Sequence, residues 1–133
     1  MSNATMKAYK VESIDFAGKI EGKQRLDLQN KYSYNVRYSP QNICRGEFTV
    51  EVSDKTVPDK FHFKAVVIGV FSFKPGVEKE LLHVETYNQL FPYVRSLVTT
   101  VTANCGIPPV MIPFTDLEGQ NIYRFEKNPG GNT

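Results

Sequence analysis

The sequence predicts an α+β protein in which a four-stranded antiparallel sheet is followed by a long helix and a proline-rich strap. Alternating apolar and polar residues recur through residues 9–73, which is the period of strands that have one face in water. A stripe of apolar residues at helical spacing then runs through Leu90–Asn104. Because strands precede helices along the chain, we expect the helices to gather on one face of the sheet.

The predicted strands are separated by short clusters of turn-forming residues. The second strand is the clearest, since Tyr32, Tyr34 and Val36 share one parity while polar residues occupy the other. The fourth strand becomes apolar on both faces from Val66 onward, which favours cover from a second subunit or a bound apolar ligand. We predict strands over Tyr9–Ala17, Leu26–Tyr38, Ile43–Val52 and Lys60–Phe73.

Two helices are predicted after the fourth strand. The first is short and spans Glu78–Gln89. The second begins at Leu90, because Pro92 suits a first helical turn, where its missing N–H has no helical partner. Gly106 suits the end of this helix. Its apolar stripe consists of Leu90, Val94, Leu97, Val98 and Val101.

Length and composition indicate one domain, which we place over residues 6–126. Residues 1–5 resemble a disordered expression-tag remnant, and residues 127–133 a flexible tail. The net charge of +2 comes without a dense basic run, so charge gives no support to a nucleic-acid partner. No apolar run approaches the roughly 20 residues that cross a bilayer, and no signal-peptide core is present. We therefore expect a cytoplasmic protein with no membrane partner.

No arrangement typical of an enzyme or a metal site is found. His62 and His83 occur in no HxH or HExxH spacing, so neither a metal nor another cofactor is expected. Cys44 and Cys105 form no CxxC and are expected to be reduced and packed, the alternative being a disulfide bridge or a reactive thiol. A hydrolase that uses Cys105 or Asp116 is the weakest of the functional hypotheses.

The strap Ile107–Phe114 is apolar but contains three prolines, so it cannot be helical. One interpretation is a segment packed into the core. The other is one wall of an open apolar groove, since contiguous exposed apolar surface usually marks a partner site.

Two segments of the sequence resemble the SecB family of protein-export chaperones. They are GVFSF at residues 69–73 and LFPYVRSLVTTVTANCGIPPVMIPFTDLE at residues 90–118, and LDL at residues 26–28 aligns in order. The resemblance implies a SecB-like α+β protomer that assembles as a homotetramer, a dimer of dimers. It also implies an ATP-independent molecular chaperone (a holdase), without catalytic activity, that binds unfolded or nascent polypeptides in apolar grooves. The client would be an exported protein or a specialised one, such as the antitoxin of a toxin–antitoxin module.

Matching positions with the family gives a set of candidate site residues. The strap contributes Ile107, Pro108, Val110, Ile112 and Phe114 to client binding. The end of the fourth strand adds Phe71 and Phe73, and alternation alone adds Tyr34 and Val36. Assembly is assigned to Tyr93, Leu97, Val98 and Val101, for which packing within one chain is an equally good interpretation.

Departures from the family pattern put docking to the export motor SecA in doubt. The positions that match its acidic docking patch are here Ser13, Ala17 and Lys64. The alternative function is a small carrier protein without catalytic activity, whose sheet face and strap enclose an apolar ligand.

Overall fold

Four long strands and one long helix dominate the part of the chain that the structure describes. The structure, a computed structural model, describes residues 2–19, 27–105 and 109–113 and the backbone of residues 122–123. Its elements are β1 (Ala4–Gly18), β2 (Leu28–Ser39), β3 (Ile43–Asp54), a 3-10 turn (Pro58–Lys60), β4 (Phe61–Phe73), α1 (Lys79–Ala103) and β5 (Ile122–Tyr123).

The strands form one sheet in the order β1-β4-β3-β2-β5. The first four are antiparallel to their neighbours, and the two residues of β5 pair in parallel with Tyr32 and Ser33 of β2. The predicted antiparallel sheet of four strands followed by a long helix is therefore confirmed. The short β5 was not predicted, because the sequence after the strap is polar.

One face of the sheet packs against α1 and forms the core. Residues directly opposite in antiparallel strands share a face, so Phe48 lies beside Tyr34 and Val67 on the helix side. The Phe48 and Tyr87 rings are stacked, with centroids 5.3 Å apart. The largest fully buried side chains are Tyr34, Tyr87, Phe48, Phe61, Phe63, Phe71, Phe91, Leu82, Leu90, Ile112, Val50 and Val52.

Strand β1 keeps its apolar side chains on the helix face by means of two irregularities. Its register against β4 shifts between Met6 and Ala8 and again between Val11 and Ser13. Each shift inserts one residue, which reverses the alternation that follows. Consequently Tyr9, Val11 and Ile14 all face the helix side, although plain alternation would put Ile14 opposite to them.

The first residues of β1 are tied to the helix. The backbone N–H of Ala4 donates to Oε2 of Glu85 (2.9 Å), and its carbonyl accepts from Nε2 of Gln89 (2.8 Å). Ala4 is buried and pairs with Phe73. This differs from the expectation for residues 1–5, because Ala4 and Thr5 belong to the sheet. Met1 and the predicted tail at residues 127–133 lie outside the described residues.

The predicted division into two helices is wrong, because α1 is continuous from Lys79 to Ala103. Pro92 lies inside it rather than in a first turn. Proline cannot donate to the carbonyl of residue 88, but Pro92 is exposed, so water can bond that carbonyl. Of the predicted stripe, three side chains are fully buried and Leu97 and Val101 are half-buried; the buried ones are Leu90, Val94 and Val98.

A buried polar contact fixes the helix on the sheet. The Tyr34 hydroxyl donates to Oγ1 of Thr86 (2.5 Å), which in turn donates to the carbonyl of Leu82 (2.8 Å). Burial raises the pKa of Tyr34 above its ordinary value, so the hydroxyl stays protonated and can donate. Gly46 makes room for this ring, since a Cβ at that position would fall on the Tyr34 hydroxyl.

We predict that Gly46→Ala lowers the free energy of unfolding by about 1–3 kcal/mol, because the added methyl displaces the Tyr34 ring. Tyr34→Phe alone should cost about 1 kcal/mol for the lost hydrogen bond. In the Tyr34→Phe background, Gly46→Ala should cost less, because the oxygen that the methyl meets first is gone. Urea unfolding of all four proteins at one protein concentration measures the coupling. An equal cost in both backgrounds would contradict this account.

The end of β3 is held by the carboxylate of Asp54. It accepts hydrogen bonds from the backbone N–H groups of Val57 (2.8 Å), Asp27 (2.9 Å) and Thr56 (3.2 Å). These bonds lower the pKa of Asp54 below its ordinary value, and the bond from Val57 has the largest effect. The carboxylate therefore fixes both the β3–β4 connection and the residue that precedes β2.

The depressed pKa of Asp54 predicts a specific acid dependence of stability. Its contribution is complete above the unfolded-state pKa of about 4 and is lost as pH falls through the lower folded-state pKa. Asp54→Asn should therefore destabilise the fold at neutral pH, and the difference from wild type should shrink below about pH 4. Thermal unfolding from acid to neutral pH measures it, with exposed Asp59→Asn as the control. A difference that does not change with pH would rule out this role.

Candidate functional site

The residues predicted to bind a client fall into three classes by exposure. The fully or almost fully buried class is Tyr34, Phe71 and Ile112. The half-buried class is Val36, Phe73 and Val110. Ile107, Pro108 and Phe114 lie outside the described residues. The half-buried class keeps part of its side-chain surface accessible to water, and the buried class belongs to the core.

The described part of the strap, residues 109–113, is fixed at both ends. Val110 donates its N–H to Oγ1 of Thr102 (2.8 Å) and accepts from Oγ1 of Thr99 (3.0 Å). The Tyr32 hydroxyl donates to the carbonyl of Pro113 (2.9 Å). Between these anchors Ile112 enters the core, whereas the side chain of Met111 is 71% exposed. Sequence reasoning missed Met111, because a motif match does not show which side of a non-helical segment faces water.

Val36 and Phe73 lie near the other end of α1. The ring of Phe73 packs edge-on against Tyr38 at 6.0 Å, and the Tyr38 hydroxyl donates to the carbonyl of Lys79 at the start of the helix. The strap contacts Thr102, near the helix end. At 1.5 Å per residue, these two helix positions are about 35 Å apart. The predicted client-binding residues therefore occupy two separate regions rather than one.

A third apolar surface lies between β1 and α1. We define the β1–α1 patch as Tyr9, Val11, Ile14, Tyr93 and Leu97. Four of its side chains are between 37% and 48% exposed, Leu97 is half-buried, and the Tyr9 and Tyr93 rings are 4.6 Å apart. A cavity of about 200 Å³ opens here. Alternation along β1 could not reveal this patch, because the register shifts place its residues on one face.

The four residues predicted to mediate assembly are divided by the structure. Tyr93 and Leu97 belong to the β1–α1 patch. Val98 is fully buried in the core of this chain, and Val101 is half-buried against it. Packing within one chain therefore accounts for Val98.

The sheet face opposite α1 is mainly polar. A row of alternating charge crosses all four antiparallel strands in the order Lys31, Glu51, Lys64 and Asp15. A cavity of about 410 Å³ on this face is lined mostly by charged and hydroxyl side chains. Ile68 is already 3% exposed within this chain. Val66 and Val70 on the same face are only partly buried, so this chain covers the apolar second face of β4 in part.

The reactive side chains of the described residues are dispersed. His62 pairs with Glu51 (2.9 Å), while His83 is buried against the Tyr34 ring at 5.0 Å. Both cysteines are free, and burial raises the pKa of the Cys44 thiol to about 11. Cys105 is exposed rather than packed as expected. Within residues 2–19, 27–105 and 109–113, no three His, Cys, Asp or Glu side chains could together hold a metal ion.

The predicted acid Asp116 lies outside the described residues. Within the described part of the chain, α1 is too polar to span a bilayer, and no other helix reaches the necessary length.

Comparison with curated proteins identifies relatives of this chain. The protein-export protein SecB of Orientia tsutsugamushi (strain Boryong) is 31% identical over 111 residues, which are 79% of this chain and 68% of that protein. The SecB of Anaplasma marginale (strain Florida) is 31% identical over 93 residues, which are 65% of this chain and 53% of that protein. The chain thus spans about half the length of the Anaplasma relative. No protein-family model matches it.

A solved structure shares the fold. The SecB-like chaperone Rv1957 of Mycobacterium tuberculosis, in complex with a ChAD peptide from the HigA1 antitoxin, aligns with a TM-score of 0.70 at 16% identity. The alignment covers 86% of this chain and 91% of that chain. The identity and extent of the Orientia match show the family of this chain, and the sheet order and the long helix agree with it. This chain belongs to the SecB family of protein-export proteins.

Proposed function

We propose that this protein is an ATP-independent chaperone, a holdase, that binds unfolded or nascent polypeptides on exposed apolar surface in the cytoplasm. Its family is named for protein export, and the Mycobacterium neighbour holds an antitoxin peptide. The client is therefore either an exported protein or a specialised one such as an antitoxin. Capture by several weak apolar contacts gives breadth rather than sequence selectivity.

The observation that supports this proposal most directly is the exposed side chain of Met111 on the strap. Three hydrogen bonds fix the backbone around Met111, so its exposed side chain is presented by a rigid segment. A thioether side chain is flexible and polarisable, and it adapts to partners of different shape. The half-buried Val110 beside it extends the apolar surface. Pre-organised surface of this kind loses little conformational entropy when it binds.

We propose that the β1–α1 patch is covered by another copy of this chain, as in a dimer of dimers. An exposed apolar patch on the terminal strand of the described sheet is unusual for a monomer, because it also invites aggregation. Tyr93 and Leu97 would then lie at the subunit interface.

The apolar-ligand carrier has less support. The cavity of about 410 Å³ is lined by groups such as Lys31, Glu47 and Lys64, which suit water rather than a lipid-like molecule. The cavity of about 200 Å³ opens between β1 and α1 at the surface. Neither of these two cavities is an enclosed apolar chamber. We propose a binding function without catalysis, without a cofactor and without a nucleic-acid partner.

Docking to SecA also lacks support in the described residues. Ser13, Ala17 and Lys64 are exposed and bring no acidic group.

We predict that the wild-type protein, without nucleotide, slows the aggregation of an unfolded polypeptide diluted from denaturant. Met111→Asp should weaken capture by roughly ten- to a hundredfold, because burying one large apolar side chain contributes on the order of 1.5–3 kcal/mol. Light scattering against chaperone concentration measures the effect.

The matched control is Val57→Asp, which changes an exposed apolar residue in the β3–β4 connection. It should leave capture unchanged. Ile112→Asp is unsuitable as a test, because it would bury a carboxylate in the core. A wild-type protein with no effect on aggregation would overturn the proposed function. Equal losses of client capture in Met111→Asp and Val57→Asp would show that the strap does not bind the client.

A further inference from the structure

The sulfur-containing side chains of the described residues differ in their access to water. Met111 on the strap is 71% exposed, and Cys105, just after α1, is exposed as well. Met6 is half-buried against the core, where it pairs with the fully buried Phe71, and Cys44 is buried. A small oxidant dissolved in water therefore reaches the sulfur of Met111 more easily than that of Met6.

The position of the strap does not depend on the sulfur of Met111. Hydrogen bonds at Val110 and at Pro113 hold the backbone on either side of it, and Ile112 fills the core. None of these contacts uses the thioether. A change of polarity at a side chain that already lies in water therefore leaves the strap and the core in place.

Hydrogen peroxide oxidises a thioether in one balanced step. A lone pair of the sulfur attacks one oxygen of the peroxide, and the O–O bond breaks. The first oxygen stays on the sulfur as a sulfoxide, while the second leaves as hydroxide and takes the remaining proton to form water. The sulfur loses two electrons, which the peroxide gains. The sulfoxide is polar where the thioether was apolar, and methionine sulfoxide reductases reverse the change.

We propose that oxidation of Met111 to the sulfoxide switches off client capture and that reduction restores it. In the free protein the sulfoxide oxygen is hydrated, so the fold is not disturbed. An apolar client segment would remove water from this oxygen without replacing its hydrogen bonds, which is unfavourable. Oxidation therefore weakens the complex with a client rather than the protein itself. The inference rests on the proposed function, since it names a regulation of the same surface.

The test treats the full chain with hydrogen peroxide in a Cys105→Ser background, which removes the exposed thiol. After the peroxide has been removed, mass spectrometry of proteolytic fragments locates the sulfoxide. Light scattering then measures capture of an unfolded client that contains neither methionine nor cysteine. Met111 should be oxidised well before Met6. Capture should weaken by roughly tenfold or more, and treatment with reductases for both sulfoxide epimers should restore it.

Met111→Leu and Met6→Leu are matched variants, and each is compared with itself before and after peroxide treatment. Treatment should cause no loss of capture in Met111→Leu, because leucine has no sulfur, and should weaken capture by Met6→Leu as in the parent protein. A loss of capture in treated Met111→Leu would overturn the inference, and so would oxidation of Met6 as fast as that of Met111.

Thermal unfolding followed by circular dichroism checks that the fold survives oxidation. The midpoint should be the same before and after oxidation of Met111. An oxidised protein that has lost its fold would overturn the inference, because capture would then be lost together with the structure.

The untreated protein in the same aggregation assay separates this inference from the proposed function. Slowed aggregation that oxidation of Met111 does not change would refute the redox switch and leave the chaperone function standing. An untreated protein that does not slow aggregation would refute the proposed function, and the switch with it.

Discussion

The structure depends on covering one face of a four-stranded sheet with a single helix. Four strands spaced about 4.8 Å apart place the outer two roughly 14 Å from each other, whereas a helix with its side chains is about 10 Å wide. Here α1 contacts all four long strands, and Tyr34, Phe48 and Leu90 are fully buried between the helix and the sheet. The helix-facing side of β1 remains half uncovered, as the exposure of Tyr9 and Ile14 shows.

The parts of the sheet that α1 does not cover differ between the two sides of the helix. On the β2 side, the strap supplies additional cover by inserting Ile112 beside the helix, which leaves Met111 outside. On the β1 side, no described segment supplies it, so the β1–α1 patch stays partly exposed in this chain. If assembly covers that patch, Met111 on the strap stays accessible to a polypeptide. Assembly and client binding would then use different sides of the same helix.

Most of the fold could be predicted from the sequence, because alternation in β2 and β3 and the stripe of α1 directly record which side chains are buried. Continuity of the helix could not, since Pro92 normally indicates a helix start and is tolerated here by exposure to water. The β1–α1 patch was hidden by two register shifts. The candidate site was predicted least well, because Phe71 and Ile112 match a family motif whether they face a client or the core.

Sedimentation equilibrium of the wild-type protein and of Tyr93→Lys tests the central claim most directly. If the uncovered helix-facing side of β1 is closed by other copies of this chain, wild type should have a mass of several protomers, near four. Tyr93→Lys should shift the equilibrium toward smaller species and retain the circular dichroism of the fold. A wild-type protein that remains a folded monomer at high concentration would contradict the account, because the β1–α1 patch would then be stable in water without a partner.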